Sequence, residues 1–168
     1  MNRAVLWVSL FFCALLQAVL PAWQAVGQAK PPLLLAAVLY YALSRDHHQV
    51  LESALLAGIL QDGLGPIPMG VSATAFVTIG LLVNHYRERL FGDFWFTHIL
   101  LGVGSSVMLS FIHYFFLVGL GLRTGIPFPF VLNKALGMSL LGIVIFPLVY
   151  RLIHHLDLAL GNLTEEIR

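Results

Sequence analysis

One carboxylate, Asp62, ends an apolar run of the chain, and a glycine- and proline-rich stretch follows it. Apolar sequence resumes at Val71, so the charge lies beside segments of the kind that enter membranes. A charge in that setting is costly and needs a partner, a wet location or a function. The functional interpretation is a substrate, ion or proton site, or a contact with another protein. The structural interpretation, which we favour, is a helix-end carboxylate that fixes the turn into the next helix.

Seven histidines are the next candidates, and their spacing decides whether they could bind a metal. Two adjacent pairs occur, but neighbouring residues on a helix do not face each other, and no HExxH spacing is present. We therefore expect no metal site. His113 lies inside an apolar segment, and we expect a neutral imidazole that is hydrogen-bonded to a neighbouring helix. The histidines are His47, His48, His85, His98, His113, His154 and His155.

Sequence motifs of known catalytic sites are missing from the chain. No GxSxG elbow, no GxxxxGK[ST] loop and no close pair of membrane carboxylates occurs. Cys13 is the only cysteine, which excludes an internal disulfide and a CxxC site. We expect a protein that is not an enzyme, with no catalytic residue and no cofactor. An intramembrane enzyme built on Asp62 and a basic partner is the least favoured alternative.

The composition indicates the class of protein. Of the 168 residues, 59% are hydrophobic and only 10% are charged, and the mean hydropathy is +0.89. Soluble domains usually contain about 25% charged residues. The chain has too little polar surface to cover a globule, so we predict an all-α integral membrane protein with a single domain, residues 1–168. The net charge of +1 gives no reason to expect a nucleic-acid partner.

Six apolar segments are predicted to be the helices of one compact transmembrane bundle. The second and third are short: at about 1.5 Å per residue they reach only about 20–24 Å, less than a bilayer core of about 30 Å. Either they are packed inside the bundle, or segments three and four form a tight helical hairpin around residues 65–68. The predicted segments are 4–23, 31–44, 50–64, 69–85, 94–121 and 128–153.

The basic residues predict the orientation. With six helices, one side of the membrane receives Arg3, Arg45, Arg87, Arg89, Arg151 and Arg168, and the other receives Lys30, Arg123 and Lys134. The positive-inside rule then places both termini in the cytoplasm. Asp62 falls on the other side, so one of those three basic residues, or the helix start at Met69–Gly70, is expected to offset its charge. On the cytoplasmic side, Arg45 and Arg87 are available as charge partners for Glu52.

Small residues recur at helical spacing and predict close helix packing. Such stripes let backbones approach each other, either within the bundle or against a partner's helix. The fifth segment has one stripe, the third has Ala54 and Gly58 ahead of Asp62, and the first has a pair of alanines. The stripes of the first and fifth segments are Ala14, Ala18, Gly102, Ser106 and Ser110.

The central pattern G-x-x-x-D-x-x-x-x-x-P-x-G resembles the family of the rod shape-determining protein MreD. It is formed here by Gly58, Asp62, Pro68 and Gly70, and the run 39–43 (Leu-Tyr-Tyr-Ala-Leu) after Pro32 is similar to that family's second segment. The resemblance implies a bacterial inner-membrane scaffold of the cell-elongation machinery, with the four motif residues as a structural turn or a partner contact. It implies an MreC-like bitopic partner and, through it, MreB, RodA and a class B penicillin-binding protein.

The same resemblance supplies the alternative function. The family's fold is similar to the six-helix substrate-binding subunits of energy-coupling-factor vitamin transporters. Those subunits dock their transporter partner through small residues on the first helix, a role that would fall to Ala14 and Ala18. A transporter subunit would need a cavity lined by polar residues near Lys30, Asp62, Arg123 and Asn133.

Overall fold

The computed structural model describes residues 3–23, 29–65, 68–87, 95–119, 121 and 128–159. Within these residues the chain forms six α-helices and no β-strand, and an isolated bridge pairs Trp23 with Ala29. The prediction of an all-helical chain with six helical segments is confirmed. The helices are α1 (Arg3–Val19), α2 (Leu33–Ser44), α3 (His47–Gly63), α4 (Val71–Tyr86), α5 (Trp95–Gly119) and α6 (Phe128–Ala159).

Several helix ends differ from the predicted boundaries. Helix α3 begins three residues early, because the Asp46 carbonyl accepts hydrogen bonds from the amides of Gln49 and Val50, each at 3.0 Å. Helix α6 continues six residues beyond the predicted end at Ile153, to Ala159. This last part carries Asp157, which is 1% exposed and therefore belongs to the bundle interior.

Helix α2 is the centre of the bundle. Ten consecutive residues, from Leu33 to Ala42, are buried, and α2 contacts all five other helices. A helix that is apolar on every side must be covered on every side, which explains this position. The shortness of the second segment is therefore accommodated by packing inside the bundle, one of the two arrangements expected from its length.

Helices α3 and α4 form the predicted hairpin and pack closely at Gly58. A Cβ atom added to Gly58 would lie 2.2 Å from Cα of Ala73, so only glycine permits this approach. Ala54 is also buried and continues the same face of α3.

Helices α5 and α6 cross where glycine faces glycine. A Cβ atom on Gly102 would lie 2.7 Å from the carbonyl oxygen of Gly142, and one on Gly142 would lie 2.8 Å from that of Gly102. Ser106 and Ser110 are buried on the same face, and each hydroxyl donates to the carbonyl four residues earlier. The stripe of α5 thus packs within the bundle. On α1, by contrast, Ala14 is buried whereas Ala18 is exposed.

The outer surface of the bundle is apolar. Two stretches, Phe96–Gly119 and Pro129–Ala159, are long and apolar enough to cross a membrane, and shorter apolar helices are Val5–Val19, Leu33–Ser44 and Val71–Tyr86. Large apolar side chains on the outer faces of α1, α5 and α6 are exposed, as lipid contact requires. Examples are Trp7, Phe11, Phe12, Leu15, Phe96, Leu100, Phe115, Leu136, Leu140, Val144 and Leu148.

The Gly58→Ala variant tests the closeness of α3 and α4. The new methyl group would collide with the Ala73 backbone, so the helices must separate, and we expect a loss of about 2–3 kcal/mol of unfolding free energy. Detergent titration of the purified protein in mixed micelles measures this loss. The control is Gly104→Ala, because an added Cβ there meets no atom within 4 Å. That variant should be neutral or more stable by up to about 1 kcal/mol, and equal effects at the two sites would contradict the packing.

Candidate functional site

The Asp62 carboxylate caps the start of helix α4. Its Oδ2 accepts a hydrogen bond from the Gly70 amide at 2.6 Å, and its Oδ1 accepts one from the Ser72 amide at 3.0 Å. Asp62 is only 4% exposed. Backbone amides at a helix start are unpaired and carry a partial positive charge, so they stabilise an anion. The carboxylate therefore serves as a cap that α3 supplies to α4.

The local sequence explains this geometry. Asp62 lies in the last turn of α3, where a negative charge opposes the helix dipole, and the start of α4 offsets that cost. Gly70 occupies the N-cap position of α4 with φ of +103°, a left-handed conformation that favours glycine. Pro68 precedes it, and its carbonyl accepts from the Val71 amide at 3.4 Å. The spacing of Asp62, Pro68 and Gly70 thus fits a turn that brings the start of α4 next to the Asp62 carboxylate.

His113 extends this contact to a third helix. Ser72, whose amide binds Asp62, forms a hydrogen bond of 2.9 Å between its hydroxyl and Nε2 of His113. The hydrogen bond to a neighbouring helix that was expected for His113 is therefore present. Asp62, Ser72 and His113 connect α3, α4 and α5 at one end of the bundle, called here the Asp62 end.

Gln17 is a buried helix-capping side chain of the Asp62 end that the sequence did not reveal. It is 4% exposed, its Oε1 accepts from the Leu34 amide at 3.1 Å, and its Nε2 donates to Oε1 of Gln61. Gln17 therefore caps α2 from α1, as Asp62 caps α4 from α3. The available signal was a lone glutamine one helical turn from Cys13 and Ala14, on the buried face of α1.

The opposite end of the bundle, called here the Asp157 end, contains a buried ion pair. Arg45 Nη2 lies 2.8 Å from Asp157 Oδ2, and the side chains are 11% and 1% exposed. The Tyr40 hydroxyl donates to the same oxygen at 2.7 Å. The group ties the last residues of α2 to α6 and explains why α6 continues beyond Ile153.

The carbonyl groups at the end of α2 are also satisfied at the Asp157 end. Asn84 Nδ2 donates to the carbonyls of Ala42 and Arg45 at 2.7 and 2.9 Å, and Arg87 Nη1 donates to the Arg45 carbonyl at 2.7 Å. Arg45 and Arg87 were expected to be available to Glu52. The structure uses them instead for Asp157 and for a helix end, because buried backbone carbonyls also need donors.

Three basic residues were expected near Asp62. Its two carboxylate oxygens accept hydrogen bonds from the Gly70 and Ser72 amides, which corresponds to the helix-start alternative. Lys30 and Lys134 line a neighbouring cavity of about 260 Å³ at the Asp62 end. Arg123 lies outside the described residues, and the role of all three as charge partners stays a prediction.

The cavity lies between α1, α2, α3, α5 and α6, with Phe76 reaching it from α4. The described residues that line it include two lysines, one histidine and no acidic residue. They are Gln17, Ala22, Lys30, Pro31, Pro32, Leu35, Gln61, Leu64, Gly65, Phe76, Leu109, Ser110, His113, Tyr114, Leu117, Phe130, Val131, Lys134 and Met138. Elsewhere in the described part of the chain, no group of three or more His, Cys, Asp or Glu side chains is arranged to hold a metal.

This arrangement is typical of a helical membrane protein: large apolar side chains are exposed on the outer surface, and several buried polar side chains close helix ends. A model of one family, described as rod shape-determining protein MreD, matches residues 1–156. The chain therefore belongs to the MreD family of membrane proteins, which act as structural components in determining rod shape. No curated protein and no solved structure gives a significant match.

The Asp62→Ala variant tests the cap of α4. It removes the acceptor of two amides, those of Gly70 and Ser72, and we expect a loss of about 2–3 kcal/mol of unfolding free energy. Asp46→Ala is the matched control, since Asp46 occupies the N-cap position of α3 without a side-chain capping bond. The control should lose less than about 0.5 kcal/mol. Mixed-micelle titration of both variants measures the difference, and similar losses would contradict the capping role.

The Asp157→Ala variant tests the buried ion pair. It leaves the Arg45 guanidinium and the Tyr40 hydroxyl without their shared acceptor, and we expect a loss of about 3 kcal/mol. Tyr40→Phe removes a single donor and should lose about 1 kcal/mol. The same titration compares the two variants, and a larger loss in Tyr40→Phe would show that Asp157 does not hold this end together.

Proposed function

We propose that this protein is a non-enzymatic membrane scaffold of the bacterial cell-elongation machinery. It supports rod shape and peptidoglycan synthesis by binding an MreC-like bitopic protein. Through that partner it connects to MreB, RodA and a class B penicillin-binding protein. Membership of the MreD family supports this function.

The capping geometry of Asp62 is the observation that carries the non-enzymatic part of the proposal. A catalytic carboxylate must reach a substrate, but both oxygens of Asp62 are bound to amides of α4 and the side chain is buried. The other buried carboxylate of the described core, Asp157, is bound to Arg45 and Tyr40 at the opposite end. The two carboxylates therefore cannot converge on one substrate.

The proposed location is the inner membrane, with six spans and both termini in the cytoplasm. In this orientation the Asp157 end faces the cytoplasm and the Asp62 end faces away from it. The count of six basic residues against three supports this orientation. The partner binds through outer helix faces, where membrane lipid is the competing contact.

Depletion of the protein in its own host tests the scaffold directly. We expect rod-shaped cells to become round, and an MreC-like protein to co-purify with the tagged chain in mild detergent. Cells that keep their shape after depletion, or a tagged chain that purifies without such a partner, would contradict the proposal.

Complementation by Asp62→Asn separates a scaffold from an intramembrane enzyme. Asparagine keeps one carbonyl oxygen as a capping acceptor but cannot act as an acid or a base. A scaffold therefore predicts that Asp62→Asn restores rod shape when it accumulates to the wild-type level in the membrane. Round cells at an equal level of folded protein would favour a chemical role for Asp62.

The alternative function is a substrate-binding subunit of an energy-coupling-factor vitamin transporter. The cavity at the Asp62 end favours it, because Lys30, one of the residues expected near such a site, lines this cavity. The alanine pair of α1 gives less support, since Ala14 is buried in the bundle and only Ala18 is exposed. A vitamin found in the natively purified protein would support the transporter alternative over the scaffold.

A further inference from the structure

The cavity at the Asp62 end differs in chemistry from its mouth to its floor. Lys30, Phe130 and Lys134 are exposed, so they mark the mouth. The floor contains Phe76, which is 1% exposed, and Leu109, which is 2% exposed. A cationic, open mouth thus leads to an apolar, closed interior.

The charge of this end of the bundle favours an anion. The described residues of the cavity wall include two lysines and no carboxylate. Asp62 is not among the residues that line the cavity, and its two oxygens accept from the α4 amides. Lysine side chains on a low-dielectric wall raise the local concentration of anions.

The volume of the cavity limits the size of the ligand that it can hold. Ligand pockets range upward from about 300 Å³, and this cavity has a volume of about 260 Å³. That space admits a short apolar group below a charged one. Among the polar residues that line the cavity, the buried Gln17 and the half-buried Gln61 are hydrogen-bonded to each other, which makes them less available to a ligand.

We propose that this cavity binds an amphiphilic anion, with its phosphate group between Lys30 and Lys134 and its apolar part against Phe76 and Leu109. Two sources carry such a phosphate group: a membrane lipid with an anionic headgroup and a free phosphate compound. Binding at this site does not depend on the scaffold function, because only residues of the cavity take part.

Three probes added to the full-length protein in non-ionic detergent test the proposal and distinguish the sources. The probes are a short-chain phosphatidic acid, the matching uncharged diacylglycerol and inorganic phosphate. Binding is measured as the rise in thermal unfolding midpoint with probe concentration. A lipid source predicts that phosphatidic acid stabilises the protein and that neither other probe does so at the same concentration. A free phosphate source predicts that inorganic phosphate stabilises it as well.

Variants of the two lysines provide the decisive comparison. Lys30→Gln with Lys134→Gln should weaken phosphatidic acid binding about 25-fold, since each lysine beside an anionic lipid contributes about fivefold. Lys30→Arg with Lys134→Arg should keep binding, because the charges remain. Arg151→Gln, an exposed change on α6 near the Asp157 end, should leave binding unchanged. Equal binding of diacylglycerol and phosphatidic acid, or full binding by the double glutamine variant, would overturn the proposal.

Discussion

Unpaired backbone groups at the ends of short helices are the constraint on which this structure depends. Helix α2 has 12 residues, a length of about 18 Å against a bilayer core of about 30 Å. Its ends therefore lie inside the bundle, where water is scarce and every amide and carbonyl needs a protein partner. Gln17 supplies one partner at its start, and Asn84 and Arg87 supply partners at its end. Asp62 does the same for the start of α4.

Close packing and helix capping support each other. Asp62 reaches the amides of α4 because α3 and α4 approach closely one turn earlier, where Gly58 meets Ala73. In the same way, Arg45 and Tyr40 reach Asp157 because α6 packs against α2. The glycines set the distances between helices, and the polar side chains fix their registers. This division explains why a carboxylate beside a membrane segment serves here as a structural group.

The sequence allowed prediction of features that depend on neighbouring residues. The composition and the apolar segments indicated an all-helical chain with six helices, and the motif from Gly58 to Gly70 indicated a turn between α3 and α4. The contact between Asp62 and the start of α4 was one of two alternatives, since Gly70 follows only eight residues later. The roles of Gln17 and Asp157 were missed, because their partners lie 17 to 117 residues away in the chain. A lone polar residue in a helix does not reveal which distant group it faces.

The two ends of the bundle differ in their polar groups. The Asp157 end is closed by an ion pair and helix-end contacts, whereas the Asp62 end combines a capped turn with a cationic cavity.

Amide hydrogen exchange at Gly70 and Ser72 in the full-length protein is the most direct test of the capping constraint. If Asp62 binds both amides, they exchange as slowly in the wild-type protein as the amides inside α4, and Asp62→Ala accelerates both while α5 and α6 stay protected. Fast exchange of Gly70 and Ser72 in the wild-type protein, beside a protected α4, would contradict the structural role of Asp62.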